Sequence, residues 1–239
     1  MSAPFVRVRP RPRISVNKLG EYLAENKAAR RLAILQDQKK ELRCRVVQYD
    51  QARRAIVASL TGPEAAAGAL ARRLEALKGW APAGGDTEFD LREHRLCCEA
   101  IAAFLEVMPT LGLDGLVASR GGNDAPKLSK SGVAISVRPE LVVRGVAARG
   151  RPVVGAVKLH FPKSTPLCRG AGEYVGVILH EFGQLHLAGP ETCDPRLCRV
   201  VDVSTKQMYV APTSYQRRRS DVEAACREIA TLWGSIGEV

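Results

Sequence analysis

The chain of 239 residues carries 36 Lys/Arg against 25 Asp/Glu, a formal net charge of +11. That length suffices for one large domain or two small ones, each able to bury a core. No run of about 18 apolar residues occurs, which excludes a membrane-spanning helix. The basic start MSAPFVRVRPRPRISVNKL lacks the apolar stretch of a secretory signal, so a cytoplasmic location and no membrane partner are expected.

The seven cysteines are Cys44, Cys97, Cys98, Cys168, Cys193, Cys198 and Cys226. None forms a C-x-x-C pair, and Cys193 and Cys198 lack a second ligand pair at zinc-site spacing, so reduced thiols are expected. The charge is unevenly placed. Residues 1–60 hold 14 Lys/Arg and 5 Asp/Glu, or +9, while the remaining 179 residues hold 22 and 20. A basic quarter on a nearly neutral body points to a polyanion, and nucleic acid is the commonest, because each neutralised phosphate releases counterions. DNA is the favoured partner, and a protein partner is the alternative. The basic helices lack Trp and Phe anchors for a lipid surface on their apolar faces.

In chain order, residues 1–14 alternate Arg with Pro and Val and read as an extended basic arm, since proline removes amide donors. Ser15 can cap a helix VNKLGEYLAEN, and KAARRLAILQDQKKEL gives a second, basic helix. A third helix spans roughly 48–60, with Ala52, Ala55, Ile56 and Leu60 on its inner face. Gly62 and Pro63 break the chain, and Pro63 suits the first turn of an Ala-rich helix ending at Gly79. After the loop APAGGD, Thr87 and Asp90 form a capping-box start to TEFDLREHRLCCEAIAAFLEVM. The region 15–115 is therefore expected to be helical.

The texture then changes. SRGGNDAPKLSKSG, 119–132, reads as a polar loop, and VAISVRPELVVRG and RPVVGAVKLHF read as strands rich in β-branched residues. A helix, a hairpin turning at Ser204–Lys206 and a final helix from about Ser214 complete the chain. The expected fold class is α/β (α+β), with a helical basic N-terminal region packed on a mixed-sheet module, 116–239. One continuous domain is the alternative.

Within VILHEFGQLHL, 177–187, His180, Glu181 and His186 invite comparison with the H-E-x-x-H zinc helix. The second His is at i+6, however, and at about 100° per residue the two rings point about 120° apart. No zinc is expected there. Val177, Ile178, Phe182 and Leu185 instead form an ordinary apolar stripe.

Chemistry is better sought at Glu140 and Lys158. On an alternating strand, Val154, Ala156, Lys158 and His160 share one face and Val153, Gly155, Val157 and Leu159 the other. A lysine on a central strand is rarely buried without a partner. A carboxylate here could ligate magnesium while the lysine steadies an attacking water or a phosphate, and an ordinary Glu–Lys ion pair is the alternative. Asp202 and Tyr209 on the hairpin read as structural. Arg217 and Arg218 open the last helix, where cations oppose the macrodipole, so a phosphate or acidic partner is expected there.

An acid after proline, a turn, a strand carrying a lysine and then a helix resembles the PD-(D/E)XK, or restriction-endonuclease-like, superfamily. The resemblance covers roughly residues 85–211 and rests on short motifs: Pro139-Glu140 stands at the P-D element, Lys158 at the motif lysine, and Glu173 and Tyr174 open the following helix. It implies a core of helix, three strands, helix and strand, with Glu140 and Lys158 catalytic and Glu140 a ligand of a magnesium cofactor. One position departs from the pattern. Where the family has its second acid, two residues before the lysine, stands Ala156. Asp114, Asp124, Glu99 or Glu173 would then have to complete a metal site.

The reading is a nucleic-acid-binding protein, either a magnesium-dependent nuclease or an inactive binding or regulatory relative. Its expected contacts are Arg7, Arg9, Arg11, Arg13, Arg30, Arg31, Lys39, Lys40, Arg217 and Arg218.

Overall fold

The computed structural model describes residues 6–42, 48–81, 85–122 and 124–236. Strands β1 (Val6–Val8) and β2 (Arg13–Ser15) precede helices α1 (Val16–Ala24) and α2 (Ala28–Lys39) and strand β3 (Lys40–Leu42). Helices α3 (Asp50–Thr61), α4 (Ala66–Lys78) and α5 (Glu88–Val107) follow. Next come β4 (Val117–Arg120), β5 (Lys127–Lys130), β6 (Val133–Ser136), β7 (Leu141–Val146) and β8 (Pro152–His160). Helix α6 (Arg169–His186), strands β9 (Thr192–Asp202) and β10 (Gln207–Val210), and helix α7 (Tyr215–Leu232) complete it.

Local chemistry sets several of these boundaries. The Ser15 hydroxyl accepts from the Lys18 amide and starts α1. Thr87 and Asp90 exchange both bonds of a capping box at the head of α5. The Ala-rich helix begins at Ala66 rather than Pro63, because Gly62 takes an extended conformation and residues 62–65 stay outside it.

Two expectations fail for tertiary reasons. The described part of the basic arm is built into sheets: β1 pairs antiparallel with β3, and β2 pairs parallel with β6, with Ile14 fully buried between them. The stretch read as a polar loop contains the end of β4 and all of β5, which forms a hairpin with β6 across Ser131 and Gly132. The following run VAISVRPELVVRG supplies two strands, β6 and β7. Around Pro139 the chain leaves the small sheet, ordered β2-β6-β5, and enters a five-stranded sheet ordered β10-β9-β8-β7-β4.

In the large sheet, β4, β7 and β8 run antiparallel to their neighbours in turn, α6 crosses over, and β9 returns parallel to β8. One sheet face carries Val142, Val154, Ala156, Cys198 and Val200 against α1, α6 and α7. The other carries Leu141, Val143, Val157, Leu159 and Val201 against α3, α4 and α5. This is the period-2 alternation of a strand buried on both sides. The sheet therefore divides the core. Helices of residues 15–115 lie on both of its faces, so an N-terminal helical region does not stand apart from an α/β module. Helices α1 and α6 cross at Gly20, where a Cβ would meet Val175 at 2.6 Å and the Ala171 carbonyl oxygen at 2.8 Å. No helix among the described residues is long and apolar enough to cross a membrane.

Candidate functional site: a basic cleft around Lys158

Glu140 stands just before β7. Since Leu141 pairs with Val157 in an antiparallel ladder, Glu140 falls opposite Lys158 on the same sheet face. Its backbone is fixed on both sides: its amide donates to Val157 O at 2.9 Å and its carbonyl accepts from Gly121 N at 2.9 Å. The side chains meet. Lys158 Nζ lies 2.9 Å from Glu140 Oε1 and 3.1 Å from Oε2, and donates to Arg138 O at 2.7 Å. The Leu159 amide donates to Glu140 Oε2 at 2.8 Å. Arg53 Nε stands 3.2 Å from Oε1 but off the direction of a hydrogen bond, so its contribution is coulombic. The carboxylate is 8% exposed and meets cations or donors at both oxygens.

This donor set does not fit a magnesium site built on carboxylates. Ala156, at the position of the second acid, is fully buried in the cluster under α6. The four acids that could have replaced it lie elsewhere. Glu99 pairs with Lys163, and Glu173 with Arg169 and Arg218. Asp124 lines a separate pocket with Phe182 and His186, and Asp114 lies in the turn before β4. Among the described residues no three His, Cys, Asp or Glu side chains gather as a metal site.

What Lys158 does open onto is a cleft of about 570 Å³. Strand β2, the first turn of α1 and the end of β6 form one wall, the head of α3 another, and residues 158–165 the floor. Its cations are Arg9, Arg13, Lys18, Lys40, Arg53, Arg138 and Lys158, and its acids are Glu21 and Asp37, with Glu140 just beneath. Lys18 pairs with Glu21 at 2.7 Å. Arg138 and Lys40 are exposed at the rim. Three cations predicted from sequence, Arg9, Arg13 and Lys40, thus converge with four that were not singled out as nucleic-acid contacts.

His160 sits on the floor, 3% exposed. Its Nε2 lies 2.7 Å from Thr165 O and its Nδ1 3.2 Å from Asn17 Nδ2. A carbonyl can only accept, so Nε2 carries the proton and Nδ1 accepts from the amide. Burial holds the His160 pKa below its ordinary value, against the opposing pull of Thr165 O, Asp202 and Glu21. Asp202, fully buried, organises the surrounding loops: it accepts from the Leu167 amide at 2.7 Å, the Ser204 hydroxyl at 2.7 Å and the Thr205 amide at 3.1 Å. Tyr209 donates to Leu167 O at 2.8 Å, a structural role like that of Asp202.

The other basic residues named from sequence are placed away from this cleft. Lys39 is turned to the end of α7, donating to the carbonyls of Trp233 at 2.7 Å, Gly234 at 3.2 Å and Ile236 at 2.6 Å. Its charge serves the C-terminal pole of that helix. Arg31 pairs with Glu228, bonds the Tyr22 hydroxyl and covers the Tyr22 ring. Arg218 pairs with Glu173 and stacks over Tyr174, which answers the dipole argument inside the protein rather than with a phosphate. Arg11, Arg30 and Arg217 are exposed outside the cleft, and the side chain of Arg7 lies outside the described part. In the histidine helix, His180 is buried with Nε2 3.3 Å from Cys193 O, Glu181 pairs with Lys130 at 2.6 Å, and His186 is exposed beside Phe182.

Comparison with protein-family models and with curated proteins gives no match. Fold and geometry define the class as an α/β protein with a basic cleft at one end of its central sheet.

Proposed function

We propose that the protein binds nucleic acid, gripping the sugar–phosphate backbone in the cleft around Lys158. The observation that carries this reading is the gathering of seven cations from β2, α1, β3, α3, β8 and the links before β2 and after β6 around one concavity holding two acids. Like charges are brought together at an electrostatic cost, which a polyanion would relieve. The first turn of α1 adds the positive end of a helix dipole. DNA is the favoured form, with RNA as an arm of the test.

The order α5, β4, β7, β8, α6, β9 accords with the restriction-endonuclease-like core, β5 and β6 being an inserted hairpin. We assign the cleft to binding and derive no cleavage step, because the Glu140 oxygens are occupied by Lys158, Arg53 and the Leu159 amide.

Fluorescence anisotropy with labelled single- and double-stranded DNA and RNA, across a salt series, tests the proposal. Binding should weaken with salt, and Lys40→Ala with Arg138→Ala should flatten the log–log slope by about 0.7–0.9 per lost phosphate contact. Absence of salt-dependent binding to every probe refutes nucleic-acid binding. Binding that is indifferent to both substitutions refutes the cleft as its seat.

A further inference from the structure

Cys193 and Cys198 flank an irregularity at the centre of the large sheet. Cys193 pairs with Val154 and Cys198 with Ala156, so the four residues Asp194–Leu197 bulge out opposite the single residue Gly155. Both thiols lie in the core cluster that contains Val154 and Ala156. Facing positions two residues apart on β8, they have an expected Cα separation of about 6.6 Å, inside the limit of about 6.8 Å that a disulfide can span. The sulfurs are already 3.7 Å apart. Helix α6 seals them from above at Gly183, where any Cβ would collide with Cys193 Sγ. The loop between them is open to solvent at Arg196, 81% exposed, and is held as a turn by three bonds from Arg196 to Asp194.

We propose that Cys193 and Cys198 are a redox-active pair, which a small two-electron oxidant of the peroxide class converts into a disulfide that closes the neck of the bulge Asp194–Leu197 within β9. Cys193 is the attacking sulfur. It is the less enclosed of the two, 5% exposed against 0%, and its thiol is held below its ordinary value by the hydrogen bond with Cys198, with Arg219 adding to the effect. Its thiolate attacks a peroxide oxygen, the O–O bond breaks, and hydroxide leaves, giving a sulfenic acid. Cys198 Sγ then attacks that sulfur. The S–S bond forms as the S–O bond breaks, and the departing hydroxide takes the Cys198 proton as water. In sum two thiols are oxidised and one peroxide is reduced to two waters, and a thiol reductant reverses the change.

The test is a peptide map. Full-length protein is treated with hydrogen peroxide, alkylated in denaturant and cut with trypsin, which cleaves after Arg196 and Arg199. The expected product is peptide 170–196 joined to peptide 197–199, two hydrogens lighter than the separate pair and split again by dithiothreitol. The link should form faster in the folded protein than in the urea-unfolded chain, where chain proximity alone brings the two thiols together. A map in which both thiols stay alkylatable, or Cys193 proceeds to sulfinic acid unlinked, overturns the proposal, as does equal linking in urea.

Discussion

Replacing Glu140 with Ala separates a structural ion pair from a catalytic carboxylate. The substitution removes the partner of Lys158, the acceptor of the buried Leu159 amide and the counter-charge of Arg53 in one step. At about 3 Å and an effective dielectric near 20, the Glu140–Lys158 attraction is on the order of 5 kcal/mol before desolvation is subtracted. The two side chains are 7% and 12% exposed, so solvent screening reduces this little. Truncating one partner of such a pair typically costs about 3–5 kcal/mol, because the other charge is left behind. Lys158→Met keeps the stem and leaves Glu140 with Arg53 and the Leu159 amide, so it should cost less, roughly 1–3 kcal/mol. The double substitution should be milder than the sum by about 1–2 kcal/mol, since the buried Lys158 charge is no longer orphaned. Urea unfolding followed through the fluorescence of Trp233, 2% exposed, measures all three. If Glu140→Ala stays within about 1 kcal/mol of the parent, the carboxylate is not structural and this reasoning fails.

Ala156→Asp, which would restore the second acid of the nuclease pattern, should destabilise by roughly 3 kcal/mol or more, because it puts a carboxylate into the apolar layer under α6; calorimetric detection of new magnesium binding with unchanged stability would contradict this. Lys39→Ala should cost about 1–2 kcal/mol and raise amide exchange at the end of α7, while the salt slope of nucleic-acid binding stays that of the parent. A flattened slope would mean that Lys39 reaches the ligand. His160 and His180 are both held below the ordinary imidazole value of 6.5, chiefly by burial. The unfolded chain thus binds more protons than the folded one, so stability is full above 6.5 and is lost as pH falls through the lowered folded values. Urea midpoints taken from pH 8 down to 5 should fall on the acid side, and a rise there would refute the assignment of two buried neutral histidines.

Much of the local structure is legible in the chain. The Ser15 cap, the Thr87–Asp90 box and the alternation in VVGAVKLHF depend on contacts within a few residues, and each appears where the spacing put it. The pairing of Glu140 with Lys158 was also readable, because a charged residue on a buried strand must find a partner. The chain could not reveal that residues 13–15 pair with residues 134–136, since a parallel pairing across about 120 positions leaves no local trace. Nor could it show which cations face one another. Lys39 and Lys40 are neighbours of the same type, yet one caps α7 and the other lines the cleft, because the chain turns from helix to strand between them. Arg53, Arg138 and Lys18 come from two helices and the link after β6, with no common spacing, and only the packing of α1, α3 and that link around the end of β8 brings them together. Charge and local pattern are properties of the sequence. Which charges share a surface is set by the long-range contacts that the buried apolar faces impose.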